Sequence, residues 1–227
     1  MDTFIKLSKI NKYYRMGKVK NQVLTDFSCA FEAHCFAILA GPSGSGKSTL
    51  LNILATLDKP DSGTYLFNRE EVNFGKDKAL TEIRKNNFGF VFQSFNLIPV
   101  LTALENVALP LTLFNYSRKE QTERAVNVLE QVGLKDKLNQ KPGELSGGEQ
   151  QRVAIARAIA ANPKIIFADE PTANLDKRNA ENIICLMQRL NTQTGMSFII
   201  ASHDAKVIEA GKEVLRIGES CLKQGGN

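Results

Sequence analysis

Short apolar runs punctuate this chain at residues 36–40, 64–67, 88–92, 165–168 and 197–201, each of strand length and each closed by polar or turn-forming residues. Between them the period changes to that of a helix. Ala125, Val128, Leu129 and Val132 recur at i, i+3, i+4 and i+7 behind the capping box of Ser117 and Glu120, and Gly133 supplies the stop. Ile183, Met187 and Leu190 share a second face, started by Asp176 and ended by Gly195. Residues 50–54 read as helical, and residues 99–113, with prolines at 99 and 110, as short helical or irregular pieces. Strands alternating with helices predict an α/β fold built on an open sheet. Before that pattern begins, β-type segments at 4–10 and 23–31, broken at Gly17 and its basic neighbours, predict antiparallel strands. Tyr13 and Tyr14 fall at the break. They fit either a stacking platform for a base or half-exposed strand residues, and composition does not decide between the two.

The polar residues that end the apolar runs carry the chemistry. The run at 36–40 leads into Gly41-Pro42-Ser43-Gly44-Ser45-Gly46-Lys47-Ser48-Thr49, which fits the phosphate-loop pattern G-x-x-x-x-G-K-S/T in its required setting between strand and helix. Its glycines let successive N–H groups turn inward around a polyphosphate; Lys47 reaches the β- and γ-phosphates, and the Ser48 hydroxyl ligates Mg²⁺. The run at 88–92 ends at Gln93, and in an open α/β sheet ligands collect where strands end. The run at 165–168 ends in Asp169 and Glu170. A strand-terminal Asp after a phosphate loop holds the Mg²⁺ shell, and the adjacent Glu170 is placed to act as the base for a water. The run at 197–201 leads to His203, one of only two histidines, at the same kind of position.

One further stretch, Leu145-Ser146-Gly147-Gly148-Glu149-Gln150, opens an alanine-rich helix bounded by Pro163. Ser146 and Glu149 form a capping box that would explain it by helix initiation alone. Two glycines inside that first turn each cost up to about 1 kcal/mol relative to alanine, which predicts a close approach of something to the backbone.

Composition narrows the setting. The chain has 227 residues, 43% of them hydrophobic, enough to bury a sizeable core in a single domain. The net charge of +5 is spread without a long basic run, which fits a solvated basic surface better than a nucleic-acid stripe. Cys29, Cys35, Cys185 and Cys221 make no C-x-x-C pair and read as reduced thiols of a cytosolic protein. No basic segment followed by a long apolar one opens the chain, so no secretory signal is expected, and no apolar run approaches the ~18 residues that span a bilayer.

These residues resemble the ATP-binding subunit of an ABC transporter over nearly the full chain. The phosphate loop, Gln93, the Leu-Ser-Gly-Gly-Glu-Gln signature at 145–150, Asp169-Glu170, the loop at Asp176 and His203 occur in the family's order. The resemblance implies a P-loop NTPase (RecA-like) core with an N-terminal antiparallel β subdomain and a helical subdomain inserted at roughly 94–160, together one ABC nucleotide-binding domain over 1–227. It implies that Tyr14 stacks on adenine, that Ser146, Gly147 and Gly148 clamp the γ-phosphate of ATP held by the opposite subunit, and that Asp176 lies in the loop beside the nucleotide. Ser48, Gln93 and Asp169 would hold Mg²⁺, while Glu170, His203, Gln93 and Lys47 would carry hydrolysis. Within the family, residues 90–97, 101–107 and 171–176 are similar to the lipoprotein-releasing, macrolide-export and FtsE-like group. That implies a homodimer closing on two ATP, with the sites shared between subunits, and driving an integral-membrane permease from the cytoplasmic membrane face, with no nucleic acid involved. His34-Cys35 replaces the family's Gly-Glu before the phosphate loop, which predicts a strained or remodelled turn with no nucleotide ligand lost.

Two other functions fit a phosphate loop. A soluble ABC-type ATPase acting on nucleic acid or ribosomes would show two such domains, a coiled-coil insertion or cysteine-rich modules, none of which is in this sequence. A regulatory module without turnover would not need Glu170 and His203 intact.

Overall fold

The computed structural model describes residues 3–17 and 19–217; Cys221 lies outside the described residues. Two sheets organise the chain. Strands β1 (Thr3–Met16), β2 (Val19–Glu32), β4 (Ser62–Phe67) and β5 (Glu70–Glu71) form an antiparallel sheet in the order β2-β1-β4-β5. Strands β3 (Phe36–Ala40), β6 (Phe88–Val91), β7 (Ile165–Asp169), β8 (Ser197–Ser202) and β9 (Glu213–Arg216) form a parallel sheet in the order β6-β7-β8-β3-β9. The helices are α1 (Lys47–Leu54), α2 (Asp77–Asn87), α3 (Ala103–Ala108), α4 (Arg118–Gln131), α5 (Gly147–Ile159), α6 (Lys177–Thr194) and α7 (Ala205–Glu209).

The parallel strands are apolar throughout because both faces are covered. Phe36, Ile38, Ile166, Ala168, Phe198 and Ile200 join a core with α3, α4, α5 and α6 on one face. Their alternating neighbours Ala37, Leu39, Ile165, Phe167, Ile199 and Ala201 join α1 and the antiparallel sheet on the other. Register sets the strand ends level: Ala40 pairs with Ser202, Asp169 with Ala201, and Val91 with Ala168. The carboxyl ends of β3, β6, β7 and β8 therefore meet along one edge of the sheet.

The capping boxes expected at Ser117–Glu120 and Ser146–Glu149 are both formed, and Thr102–Glu105 makes a third at the start of α3. Buried Asn106 on α3 accepts from the Ile98 amide at 2.8 Å and donates to the carbonyls of Ile98, Leu101 and Thr102 at 3.2, 3.1 and 2.9 Å, closing the irregular stretch before α3. The N-terminal strands are longer than the apolar pattern predicts. Their polar outer halves also pair, from Lys12 with Leu24 to Met16 with Val19, so Tyr13 and Tyr14 lie inside β1 rather than at a break.

The turn at His34 is strained. His34 takes a left-handed φ of 65°, a conformation glycine adopts without cost. It is held there by Ser197 Oγ accepting from its amide at 2.8 Å, by Asn191 donating to its carbonyl at 3.0 Å, and by a contact of its ring Nδ1 with the Gly195 carbonyl. Beside it Cys35 is buried, and that burial pushes its thiol up to about 12, which leaves it unreactive.

Candidate functional site

At the strand edge, the phosphate loop joins β3 to α1. Gly44 and Gly46 have φ of 80° and 97°, and a Cβ on Gly41 would sit 2.5 Å from the Ile217 carbonyl. Glycine at 41 is thus demanded by packing, and at 44 and 46 by backbone conformation. Gly46 caps α1 with no side-chain hydrogen bond, so no cap side chain occupies the positive end of the helix. Ser45 Oγ is buried in the loop without a partner. A bare helix start and an orphaned hydroxyl in one loop fit a polyphosphate ligand, whose oxygens would satisfy both.

Lys47 is 6% exposed, and its ammonium donates to the carbonyls of Gly41 at 2.8 Å and Pro42 at 3.0 Å. It also lies 3.7 Å from Glu170 Oε1. Ser48 Oγ donates to Asp169 Oδ1 at 3.0 Å, which brings the two proposed metal ligands of loop and strand together. Burial, helped by the neighbouring Glu170 charge, raises the Asp169 carboxyl above its ordinary range against the opposing bond from Ser48. A divalent cation there would reverse that balance. Among the described residues no cluster of three or more His, Cys, Asp or Glu could hold a metal; Ser48 and Asp169 offer two oxygens side by side, and a cation here would need further oxygens from other side chains or the nucleotide.

Glu170 follows β7 with φ 44°, a left-handed conformation that costs on the order of 1–3 kcal/mol and is found at functional sites. Three neighbours hold its carboxylate: Lys47, His203 Nδ1 at 2.7 Å from Oε1, and Ser202 Oγ donating to Oε2 at 3.3 Å. Its side chain is 14% exposed, against 55% for His203, so the histidine forms the open side of the pair. Ser202 is fully buried and also accepts from the Asp204 amide at 3.1 Å. Sequence reasoning passed over Ser202, whose only signal was its place before His203.

Gln93 lies two residues beyond the last β6–β7 pair and is exposed. Its carbonyl accepts from Asn174 Nδ2 at 3.0 Å, and Arg157 of α5 donates to the next bend at the Phe95 carbonyl at 2.8 Å. The loop that carries Gln93 is thereby tied both to the loop before Asp176 and to the helix that begins at Ser146. Neither Asn174 nor Arg157 was singled out from sequence.

The signature does what helix initiation requires. Ser146 Oγ accepts from the Glu149 amide at 3.3 Å, and the Ser146 amide and hydroxyl donate to Glu149 Oε2 at 2.8 Å each. Those bonds hold the Glu149 carboxyl below the usual range. The two glycines differ. A Cβ on buried Gly148 would lie 2.7 Å from Asn179 Oδ1, so what approaches that backbone is this chain's own α6; one on Gly147 would make only ordinary contacts, with Leu175 at 3.4 Å, the Asn174 carbonyl at 3.9 Å and Phe95 at 4.0 Å. The expected close approach by an outside group is therefore left to Ser146 and Gly147. Asp176 caps α6, accepting from the Asn179 amide at 2.9 Å and its Nδ2 at 2.6 Å.

On the other side of α1, Tyr14 is 39% exposed and its hydroxyl donates to Asp58 Oδ2 at 2.6 Å. Burial and that bond raise the phenol above its ordinary value. Burial opposes ionisation of Asp58, but bonds from Lys12, Tyr14 and the Lys59 amide outweigh it and lower the carboxyl.

The comparisons with known proteins agree with this geometry. The ABC transporter family profile matches residues 24–173. The chain is 45% identical over 223 residues to the uncharacterized ABC transporter ATP-binding protein YvrO of Bacillus subtilis, covering 97% of each. It is 42% identical over 221 residues to the lipoprotein-releasing system ATP-binding protein LolD of Legionella pneumophila, again covering 97% of each. Among solved structures it superposes with TM-score 0.86 on the ATP-binding cassette MJ0796 of Methanocaldococcus jannaschii, a dimer in a post-hydrolysis state bound to ADP and Pi, at 43% identity and 94% coverage of both chains. This chain belongs to the ABC transporter family, as one of its ATP-binding, ATP-hydrolysing subunits. The nucleic-acid alternative is not favoured by these relationships.

Proposed function

We propose that two copies of this chain close face to face on two ATP molecules and drive a separate integral-membrane permease from the cytoplasmic face of the cell membrane, in lipoprotein release or a related export. The observation that carries the reading is the convergence of two linked groups at one strand edge, Ser48 hydrogen-bonded to Asp169, and Glu170 hydrogen-bonded to His203 and ion-paired with Lys47 at 3.7 Å. In this reading Lys47 exchanges its carbonyl partners for the β- and γ-phosphates. Ser48, Asp169 and Gln93 would hold Mg²⁺, which would supply positive charge against the phosphates. Glu170 takes a proton from the attacking water, oriented by Ser202 and His203. Tyr14 receives the adenine. Ser146 and Gly147, with Gly148 shaping the turn, meet the γ-phosphate bound by the partner copy, and Asp176 lies beside it. The chain acts as one nucleotide-binding domain in which residues 94–160 serve as a helical subdomain.

The permease reading draws on surface as well as relationship. Among the described residues no helix is long and apolar enough to cross a membrane, so a spanning partner must supply that function. Val100, Leu109 and Leu113 are 73%, 41% and 62% exposed, close in sequence to Gln93 and beside a groove lined by Phe88, Phe90, Phe92 and Phe114. We place the permease there, where its docking would reach the Gln93 loop through Arg157. Fractionation of the native host cells tests this. The chain is expected in the membrane fraction and to copurify with a membrane protein; recovery wholly in the soluble fraction would overturn the transporter assignment.

A further inference from the structure

The residues that carry nucleotide chemistry leave one buried cluster unused, on the opposite flank of α1. Lys12 on β1 is 8% exposed, and its ammonium donates to Asp58 Oδ1 at 2.6 Å and to the Lys59 carbonyl at 2.8 Å. The second oxygen of Asp58 takes the Tyr14 hydroxyl at 2.6 Å. The loop that presents Asp58 is itself anchored to α1, because the amides of Leu57 and Asp58 both donate to the Asn52 carbonyl, at 2.8 and 3.1 Å. It is anchored to β1 as well: Asp61 Oδ2 accepts from the Tyr13 amide at 2.8 Å and the Asp61 amide donates to the Asn11 carbonyl at 2.9 Å. The phenol is thus fixed, through Asp58, from the loop that follows the last turn of the helix that begins in the phosphate loop.

Lys12 Nζ also stands 5.0 Å from the centroid of the Tyr14 ring. One ring face is taken by that ammonium, which leaves the other as the platform for a base. We propose that Asp58 and Lys12 are positioning residues for the base subsite, setting the Tyr14 ring at a fixed distance and tilt from the phosphate loop so that a purine nucleoside triphosphate spans the two. The inference rests on the reading that Tyr14 stacks on adenine. Preorganisation is the physical gain: a free tyrosine on an exposed hairpin would have to be ordered as the base arrives, whereas this one is already held.

The test separates base binding from phosphate binding by comparing MgATP with magnesium tripolyphosphate, which lacks the base, in titration calorimetry. Asp58→Ala and Tyr14→Phe are each expected to weaken ATP about 3- to 10-fold, the net range for losing one ordinary hydrogen bond, and to leave tripolyphosphate unchanged. Tyr14→Phe added to Asp58→Ala should cost little more, because both break the same link. Tyr14→Phe keeps ring and loop intact, so it remains informative if Asp58→Ala folds poorly. Equal weakening of both ligands would reduce the cluster to a structural tie and overturn the proposal. If Tyr14→Ala weakens ATP selectively while Asp58→Ala and Tyr14→Phe do not, the stacking reading stands and the positioning role falls. If Tyr14→Ala leaves the ratio of the two affinities unchanged, the stacking reading fails and takes this proposal with it.

Discussion

Replacing Glu170 by Gln separates the binding of ATP from its hydrolysis, and the structure indicates both effects. The substitution keeps the size of the side chain and an oxygen facing His203, but it removes the carboxylate charge assigned to accept a proton from water. Loss of a positioned general base lowers the chemical step by about 10²- to 10⁴-fold, or roughly 3–5 kcal/mol of barrier. Binding should move the other way. The Glu170 carboxylate attracts the Lys47 ammonium across 3.7 Å, both side chains being largely buried, an interaction of gross size about 4 kcal/mol at an effective dielectric near 20. A phosphate must compete with that attraction for Lys47. Removing the carboxylate charge frees the lysine, so ATP affinity should hold or rise. Lys47 keeps its bonds to Gly41 and Pro42 in the variant, so the buried charge is not orphaned and the fold should lose no more than about 1–2 kcal/mol. Single-turnover phosphate release and equilibrium ATP binding, measured on the same preparation, check both halves. Hydrolysis within a few-fold of the parent would remove Glu170 from the role of base. A tenfold loss of ATP affinity would show that its charge supports binding, contrary to this reasoning.

Two further outcomes concern the frame around the site. Asn106→Leu fills the same space but strands the Ile98 amide and the Leu101 carbonyl, and urea unfolding should register a loss of about 2–4 kcal/mol; a loss under about 1 kcal/mol would mean water reaches those groups. In acid, Glu105, Glu120, Glu149, Asp58 and Asp176 all have folded-state carboxyls lowered by hydrogen bonds, although burial also resists ionisation at Asp58. Their stabilisation is complete above the ordinary carboxylate range and is lost as pH falls through about 4 and below, whereas Asp169, raised by burial, changes stability in the opposite sense. Thermal denaturation followed from pH 7 to 3 should therefore show its decline below pH ~4.5, and a melting temperature that stays flat to pH 3 would contradict it.

Much of this was readable from residues because local and global signals agreed. The apolar runs at 36–40, 165–168 and 197–201 are strands buried on both faces, and the boxes at Ser117 and Ser146 start helices where capping chemistry says they should. Helix α2 escaped detection because it buries Leu80 alone and so has no apolar period to see. Strand β9 is mostly exposed at the sheet edge, with Val214 41% accessible, and β5 has two glutamates; neither has the alternation that marks a strand. The outer half of the β1–β2 hairpin is held by backbone pairing along a stretch of mixed polar and apolar residues, which leaves no regular alternation to read. The Tyr14–Asp58 link joins residues 44 positions apart through single polar side chains, and no periodicity reports such a contact. Gly148 was read as leaving room for an outside group, but its neighbour is Asn179, a tertiary contact invisible along the chain.

The central claim is that each ATP site takes Lys47 from one copy and Ser146 from the other. Within one chain the hydrogen bonds of Ser146 close on Glu149, and those of Lys47 on its own loop. Mixing a Lys47→Ala chain with a Ser146→Arg chain tests it directly. If the sites are shared, the mixed dimer has one site with both lesions and one with neither, and trapped ATP should rise toward half occupancy, above either variant alone. If each chain builds its own site, both sites of the mixed dimer are damaged. Mixed dimers that form yet trap no more ATP than the parent variants would contradict the shared site and leave Ser146 as the cap of α5.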